Sequence, residues 1–190
     1  MQKLKEAILS RGRAINADVL LVDSFINHQI DVALMRDVGE AFARHFGAEK
    51  FDRVVTIESS GITPAAFTAL AMDLPLVVLK KQTSRIMTGD LLQTSVRSFT
   101  KGTEYQLTVK RDFLREGENI LLIDDFLASG EAAFGVIRLC EQAGAKVGGV
   151  GIVIEKAFQS GRGRLTELGL DVLSLARVGA MSENSIEFID

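Results

Sequence analysis

The sequence has no tryptophan, one tyrosine, one cysteine, two histidines and two prolines among its 190 residues. One cysteine excludes an internal disulfide framework. Cys140 lies in an apolar helical stretch, residues 136–140, where a buried and inert thiol is expected rather than a nucleophile. The histidines, His28 and His45, belong to no cluster with metal-ligand spacing, so a zinc site has no support. His45 reads as a surface residue near a helix end, and His28 is better placed, beside the polar Asn27. No run is long enough to cross a membrane. Residues 1–10 are amphipathic and charged, without the apolar centre and small-residue cleavage site of a signal sequence, so a cytoplasmic location is expected. There is also no surplus of positive charge: 22 basic residues against 25 acidic ones give a net charge of −3. Bulk electrostatics therefore give no reason to expect nucleic-acid binding, and any anion site must be built locally.

What is present is ordinary globular material, 47% hydrophobic and 25% charged, with no repeat, low-complexity tract or linker. One domain over residues 1–190 is expected. Helical spacing of apolar residues predicts helices over 2–9, 30–46, 63–71, 131–143 and 163–168. Pro64 falls in a first turn and Gly144 just past a last one, both favourable positions. Aliphatic runs predict strands over 53–57, 76–80, 120–123, 147–155 and 172–177. Residues 105–110 alternate in the way an antiparallel pair requires. Strands alternating with helices predict an α/β fold, a mostly parallel sheet flanked by helices.

Residues 120–133 carry the most chemistry. Four aliphatic residues, Ile120 to Ile123, read as a strand covered on both faces and ending in Asp124 and Asp125. Ala128, Ser129 and Gly130 then form a small-residue turn that opens a helix. A helix N-terminus attracts phosphate, and paired carboxylates attract a divalent metal or grip sugar hydroxyls, so a phosphorylated sugar with its metal is indicated. An aliphatic strand ending in Asp-Asp also occurs in P-loop enzymes and phospho-acceptor domains, although no G-x-x-x-x-G-K-[ST] lies upstream.

A second strand-to-helix turn holds Glu58, Ser59, Ser60 and Gly61, whose hydroxyls and amides suit a pyrophosphate or simply fill a turn. The connection over residues 81–103 is long and cationic, with Lys81, Arg85, Arg97 and Lys101, and reads as a lid or as a solvated hairpin. Two segments have the polarity to read a base. In residues 19–31, Asn27 can donate and accept at once, or serve as a turn former. In residues 153–158, Lys156 can reach an exocyclic oxygen and Phe158 can stack, or they are a surface charge and a core ring.

Residues 120–133 resemble the binding motif for phosphoribosyl pyrophosphate (PRPP) of the type I phosphoribosyltransferases, with Ala128 where many members have threonine and Glu131 where glycine, arginine or alanine is usual. Taken with residues 22–31, 56–62, 98–101 and 152–156, nearly the whole chain is similar to the xanthine phosphoribosyltransferases of bacterial purine salvage. The resemblance implies the type I fold with a flexible hood loop and a small base-binding hood, and a homodimer. It implies xanthine held by Leu20, Asn27 and Lys156, and Phe158, from the residues alone, is expected to stack beside them. PRPP would be held at Ala128, Ser129, Gly130, Glu131 and Ala132, and its pyrophosphate at the Glu58 to Gly61 loop with Lys81 as a helper from the hood. Asp124 and Asp125 would be the catalytic carboxylates, facing the ribose hydroxyls. Mg2+ would arrive with PRPP rather than occupy a standing protein site. Within the same family, hypoxanthine-guanine or adenine phosphoribosyltransferase is the alternative. Outside enzymes, a PRPP-sensing regulator would need a DNA-binding helix pair or a basic face, and neither is clear in this sequence.

Overall fold

The computed structural model describes residues 1–81, 89–97, 103–183 and 185–189. Arg85 and the block 98–101 lie outside the described residues. Ten strands and five α-helices are described: β1 Arg13–Ala14, β2 Leu20–Leu21, β3 Arg53–Ile57, β4 Leu76–Leu79, β5 Leu91–Arg97, β6 Glu104–Lys110, β7 Asn119–Leu127, β8 Lys146–Lys156, β9 Asp171–Ser182 and β10 Ser185–Ile189, with α1 Gln2–Arg11, α2 Val32–Phe46, α3 Ile62–Met72, α4 Glu131–Ala143 and α5 Gly161–Glu167. The main sheet has the order β10-β9-β8-β7-β3-β4. Every pairing in it is parallel except that of β10 with β9.

The aliphatic run in β7 shows why this sheet is covered on both faces. Successive strand side chains point to opposite faces. Leu121 and Ile123 therefore join the core under α1, α2 and α3, whereas Ile120 and Leu122 join the core under α4 and α5. All four are completely buried, and each such side chain contributes about 2 kcal/mol. The helices bring matching faces. On α2, Leu34, Met35, Val38, Phe42 and Phe46 are buried, and Asp31 caps the helix by accepting the Leu34 N–H at 3.0 Å. Gly39 lets α2 and α3 touch, because a Cβ there would lie 2.5 Å from the Phe67 carbonyl oxygen.

The structure corrects the expected elements in several places. The strand carrying the aspartates does not end at them but runs on to Leu127, because β8 pairs with it that far. Its other neighbour, β3, leaves after Leu122. The long cationic connection contains a regular strand, β5, which forms an antiparallel hairpin with β6. Leu92 and Val96 of β5 are buried against α4, and Arg138 of α4 donates to Thr94 Oγ1 at 2.9 Å and to the Ser95 carbonyl at 2.8 Å. Strands β1, β2 and β10 were not anticipated, nor was the five-residue π-helical turn Asp23–Asn27, and the helix expected from residue 30 begins at Val32.

Cys140 is buried in α4, and burial, followed by the nearby Glu141 and Glu118 charges, pushes its thiol up to about 12. Native protein at pH 7 should therefore leave Cys140 unalkylated by iodoacetamide over hours, and urea-unfolded protein should react within minutes. Equal mass-spectrometric labelling of the two would show that α4 does not hold its packing.

Candidate active site

The sheet reverses its direction of winding between β3 and β7. From β3 the chain passes through α3 to β4 on one side, while from β7 it passes through α4 to β8 on the other. The carboxyl ends of these two neighbouring strands diverge and leave a crevice, the place where open α/β sheets bind ligands. Here they carry the Glu58 to Gly61 loop and the Asp124 to Ala132 segment. A cavity of about 320 Å³ opens at this crevice.

Asp124 and Asp125 lie on its floor, in the part of β7 that has lost β3 as a neighbour. Asp124 Oδ1 accepts the Asp125 N–H at 3.0 Å. Burial, and next the Asp125 charge, push the Asp124 carboxyl well above the ordinary range, while Lys81 opposes the shift. Gly61 crowds the same carboxylate. A Cβ at Gly61 would stand 2.6 Å from Asp124 Oδ1 and 2.4 Å from the hydroxyl of buried Thr56, so only glycine lets α3 start so close to the pair. The Tyr105 hydroxyl is pushed up by burial and then by Asp124.

Above the carboxylates, Ala128, Ser129, Gly130, Glu131 and Ala132 line the cavity at the N-terminus of α4. Gly130 adopts the left-handed conformation (φ +87°), and no side chain caps the helix. The first backbone N–H groups of a helix have no partner within it, so this turn presents donors to an anion. Its outer side is braced by α5: the Gly161 N–H donates to the Ala128 carbonyl at 3.0 Å, and Arg164 Nη1 donates to the Ser129 carbonyl at 2.6 Å.

The far wall pairs a lysine with an aromatic ring. Lys156, at the end of β8, lies with its Nζ 5.6 Å from the centre of the Phe126 ring. Its ammonium donates to the Asp18 carbonyl at 2.5 Å. Burial pulls its pKa below the usual lysine value, against the pull of Asp18 and Asp125. Val19 and Leu20 close this wall, and Ser60, Lys81, Arg97 and Tyr105 stand on the opposite side. Three carboxylates, Asp124, Asp125 and Glu131, thus share the lining with three cations, Lys81, Arg97 and Lys156, and the N-terminus of α4 adds its own positive pole.

The expected residues do not all converge. Asp124, Asp125, Leu20, Lys156, Ser60, Lys81 and the five residues 128–132 line the cavity. Glu58 does not: it accepts the Lys81 N–H at 2.8 Å and pairs with Lys80 Nζ at 3.1 Å, so it ties its loop to the end of β4. Ser59 and Gly61 support the loop without lining the cavity. Asn27 is exposed outside the lining, its amide donating to Asp23 Oδ1 at 3.2 Å. Phe158 is also outside, 42% exposed. The aromatic in the wall is Phe126, which the sequence reading passed over although it directly follows the aspartates. Arg97 was expected only as one cation of the lid and Tyr105 was missed, because the position of both depends on the β5–β6 hairpin.

The phosphoribosyl transferase domain family matches residues 27–164. A protein of Clostridium botulinum named xanthine phosphoribosyltransferase 1 is 53% identical over 100% of both chains. A xanthine phosphoribosyltransferase of Agathobacter rectalis is 52% identical over 100% of this chain and 99% of its own. Among solved structures, adenine phosphoribosyltransferase from Thermoanaerobacter pseudethanolicus superposes with a TM-score of 0.76 at 22% identity, covering 92% of this chain and 99% of that one. At that identity the superposition speaks for the fold, which is the type I phosphoribosyltransferase fold with its mostly parallel sheet. A domain match that spans the crevice, together with relatives alike from end to end, establishes that this chain belongs to the phosphoribosyltransferase family.

Proposed function

We propose that the chain transfers the 5-phosphoribosyl group of PRPP to N9 of xanthine, releasing XMP and pyrophosphate. The observation that carries this reading is one cavity uniting Asp124 and Asp125, the 128–132 turn, and Lys156 over Phe126. The names of full-length relatives more than 50% identical support xanthine as the acceptor. A homodimer in the cytoplasm belongs to the same reading, by the likeness described above.

Ribosyl transfer passes through a state in which positive charge grows on the sugar and negative charge on the departing pyrophosphate. In the proposed arrangement the 128–132 turn holds the 5′-phosphate. Asp124 and Asp125 take the ribose hydroxyls, and their negative charge faces the developing cation. Lys81 and Arg97 lie on the side where the leaving group would gather charge. Lys156 orients the base so that N9 approaches C1 from the face opposite pyrophosphate. Packing of the hairpin beside the cavity limits water, which would otherwise capture the ribosyl cation.

The donors suit Mg2+, which prefers oxygen. Two adjacent carboxylates supply too few ligands for a closed cage of about six, so they fit an ion held chiefly by substrate oxygens and water. When bound, it would neutralise charge on the leaving pyrophosphate.

Pyrophosphate release with Mg2+, PRPP and each of xanthine, guanine, hypoxanthine and adenine tests the assignment. We expect the highest kcat/KM with xanthine. Preference for adenine would overturn the acceptor while leaving the reaction class, and no release with any purine would overturn the reaction itself.

A further inference from the structure

We propose that Arg164 is a positioning residue that keeps the phosphate turn open to a dianion by neutralising Glu131, an inference that rests on the PRPP reading of this site. Glu131 is the first residue of α4, and it lines the cavity at the very turn whose amides would receive the 5′-phosphate. A carboxylate is favoured near a helix N-terminus and so competes with phosphate for the same donors. Left unpaired, it would also repel the phosphate. Arg164 removes both difficulties. Its Nη1 donates to Glu131 Oε1 at 2.7 Å and to the Ser129 carbonyl at 2.6 Å, which holds the carboxylate against α5. The guanidinium lies 4.3 Å from the centre of the Phe134 ring, which limits its freedom to turn away.

The helix that supplies Arg164 is itself anchored. Arg162 Nε donates to both oxygens of buried Glu155, at 3.0 and 2.8 Å, while Nη1 reaches the Val172 carbonyl at 2.9 Å and Nη2 the Ser174 hydroxyl at 3.0 Å. Gly161 allows α5 to press on the turn, since a Cβ there would meet the Ala128 carbonyl oxygen at 2.3 Å. Thus α5 is pinned to β8 and β9 by Arg162, and from that fixed base it applies Arg164 to the turn. An acidic residue at the head of the phosphate-binding helix is tolerated because its counter-charge is built into the next helix.

Steady-state kinetics of the full chain test this. Arg164→Ala should raise KM for PRPP about tenfold with kcat changed by less than about threefold, because a like charge then faces the bound phosphate. The rise should shrink between 0.05 and 0.5 M NaCl, as screening predicts. Glu131→Gln placed in the Arg164→Ala background should recover most of the lost PRPP affinity, and Arg164→Lys should recover part of it. An unchanged KM for PRPP in Arg164→Ala, beside a wild-type chain that turns PRPP over, would overturn the inference alone. Equal losses in KM and kcat that neither salt nor Glu131→Gln relieves would also overturn it, as those of a merely structural residue. Thermal stabilisation by ribose 5-phosphate gives a readout independent of turnover. It should be present in the wild type and weakened in Arg164→Ala even if no purine is accepted, and its absence from the wild type would overturn the inference. Should Arg164→Ala fail to fold, the Arg164→Lys variant carries the same comparison, and full wild-type salt dependence and PRPP affinity in it would refute a role for the planar contact to Ser129 and Glu131.

Discussion

With both Asp124 and Asp125 replaced by asparagine, turnover falls by at least about a thousandfold, while the unfolding temperature at pH 8 stays level or rises. The loss follows from position. Both carboxylates line the cavity beside the 128–132 turn, and the third acidic residue of the lining, Glu131, is paired with Arg164. Asparagine keeps the shape and most hydrogen bonds but removes the charge that, in the proposed mechanism, would face the ribosyl cation. The stability result follows from proton linkage. Burial, and then Asp125, push the Asp124 carboxyl above its ordinary value, so the folded state holds this proton more tightly than the unfolded chain does. The associated stability is fully present below the unfolded carboxylate pKa of about 4 and is lost as pH rises through the raised folded-state value. At pH 8 the raised Asp124 carboxyl therefore costs stability that asparagine does not. Calorimetric unfolding from pH 4 to pH 8 should show the wild type declining more steeply than the variant. Wild-type turnover in a folded double variant would remove the aspartates from the mechanism.

That same pair marks how far local patterning could lead. The strand before it was readable because Ile120, Leu121, Leu122 and Ile123 have no polar interruption, and only a two-sided core asks for that. Its extension to Leu127 was not readable. Residues 124 to 127 are held as strand by β8 alone, and which neighbour leaves first is a property of sheet order, not of local sequence. Strand β5 was hidden for a related reason: only Leu92 and Val96 need burial, so five of its seven residues are free to be polar or small and read as loop. Edge strand β10 pairs on one side only, and of its apolar residues Ile186 and Phe188 are half-buried and Ile189 is exposed, which leaves a weak pattern. In the site, the 128–132 turn was evident because glycine and serine before a helix have a local logic. The rest of the lining depends on which side chains of distant elements meet: of the residues proposed to hold the base, Leu20 and Lys156 line the cavity and Asn27 and Phe158 do not, while Phe126 and Tyr105 had no local signal and Arg97 only that of a lid cation.

Lys156→Ala should raise KM for xanthine about a hundredfold and leave the dissociation constant of PRPP within about threefold of wild type. An ammonium has three donors, and one of them is committed to the Asp18 carbonyl at 2.5 Å. That acceptor is itself fixed, since Asn16 Oδ1 accepts the Asp18 and Val19 N–H groups, both at 2.8 Å. Two donors remain beside the Phe126 ring, placed to meet an exocyclic oxygen of the base. A hydrogen bond from a charged donor contributes about 1.5–3 kcal/mol, roughly ten- to a hundredfold in affinity, and alanine also removes the wall on which the base rests. The phosphate turn lies elsewhere in the cavity and keeps its own partners in α5, so PRPP should hardly notice. Protonation gives a second check. Burial lowers the pKa of Lys156, so its proton is lost at a pH below the ordinary lysine value of about 10.4, and xanthine affinity should fall as pH rises through that lowered value. The alanine variant should lack this alkaline limb. If equilibrium binding showed PRPP weakened more than xanthine, the base would belong at the opposite end of the cavity, against Tyr105 and Arg97, and Lys156 would have to be reassigned to the phosphorylated sugar.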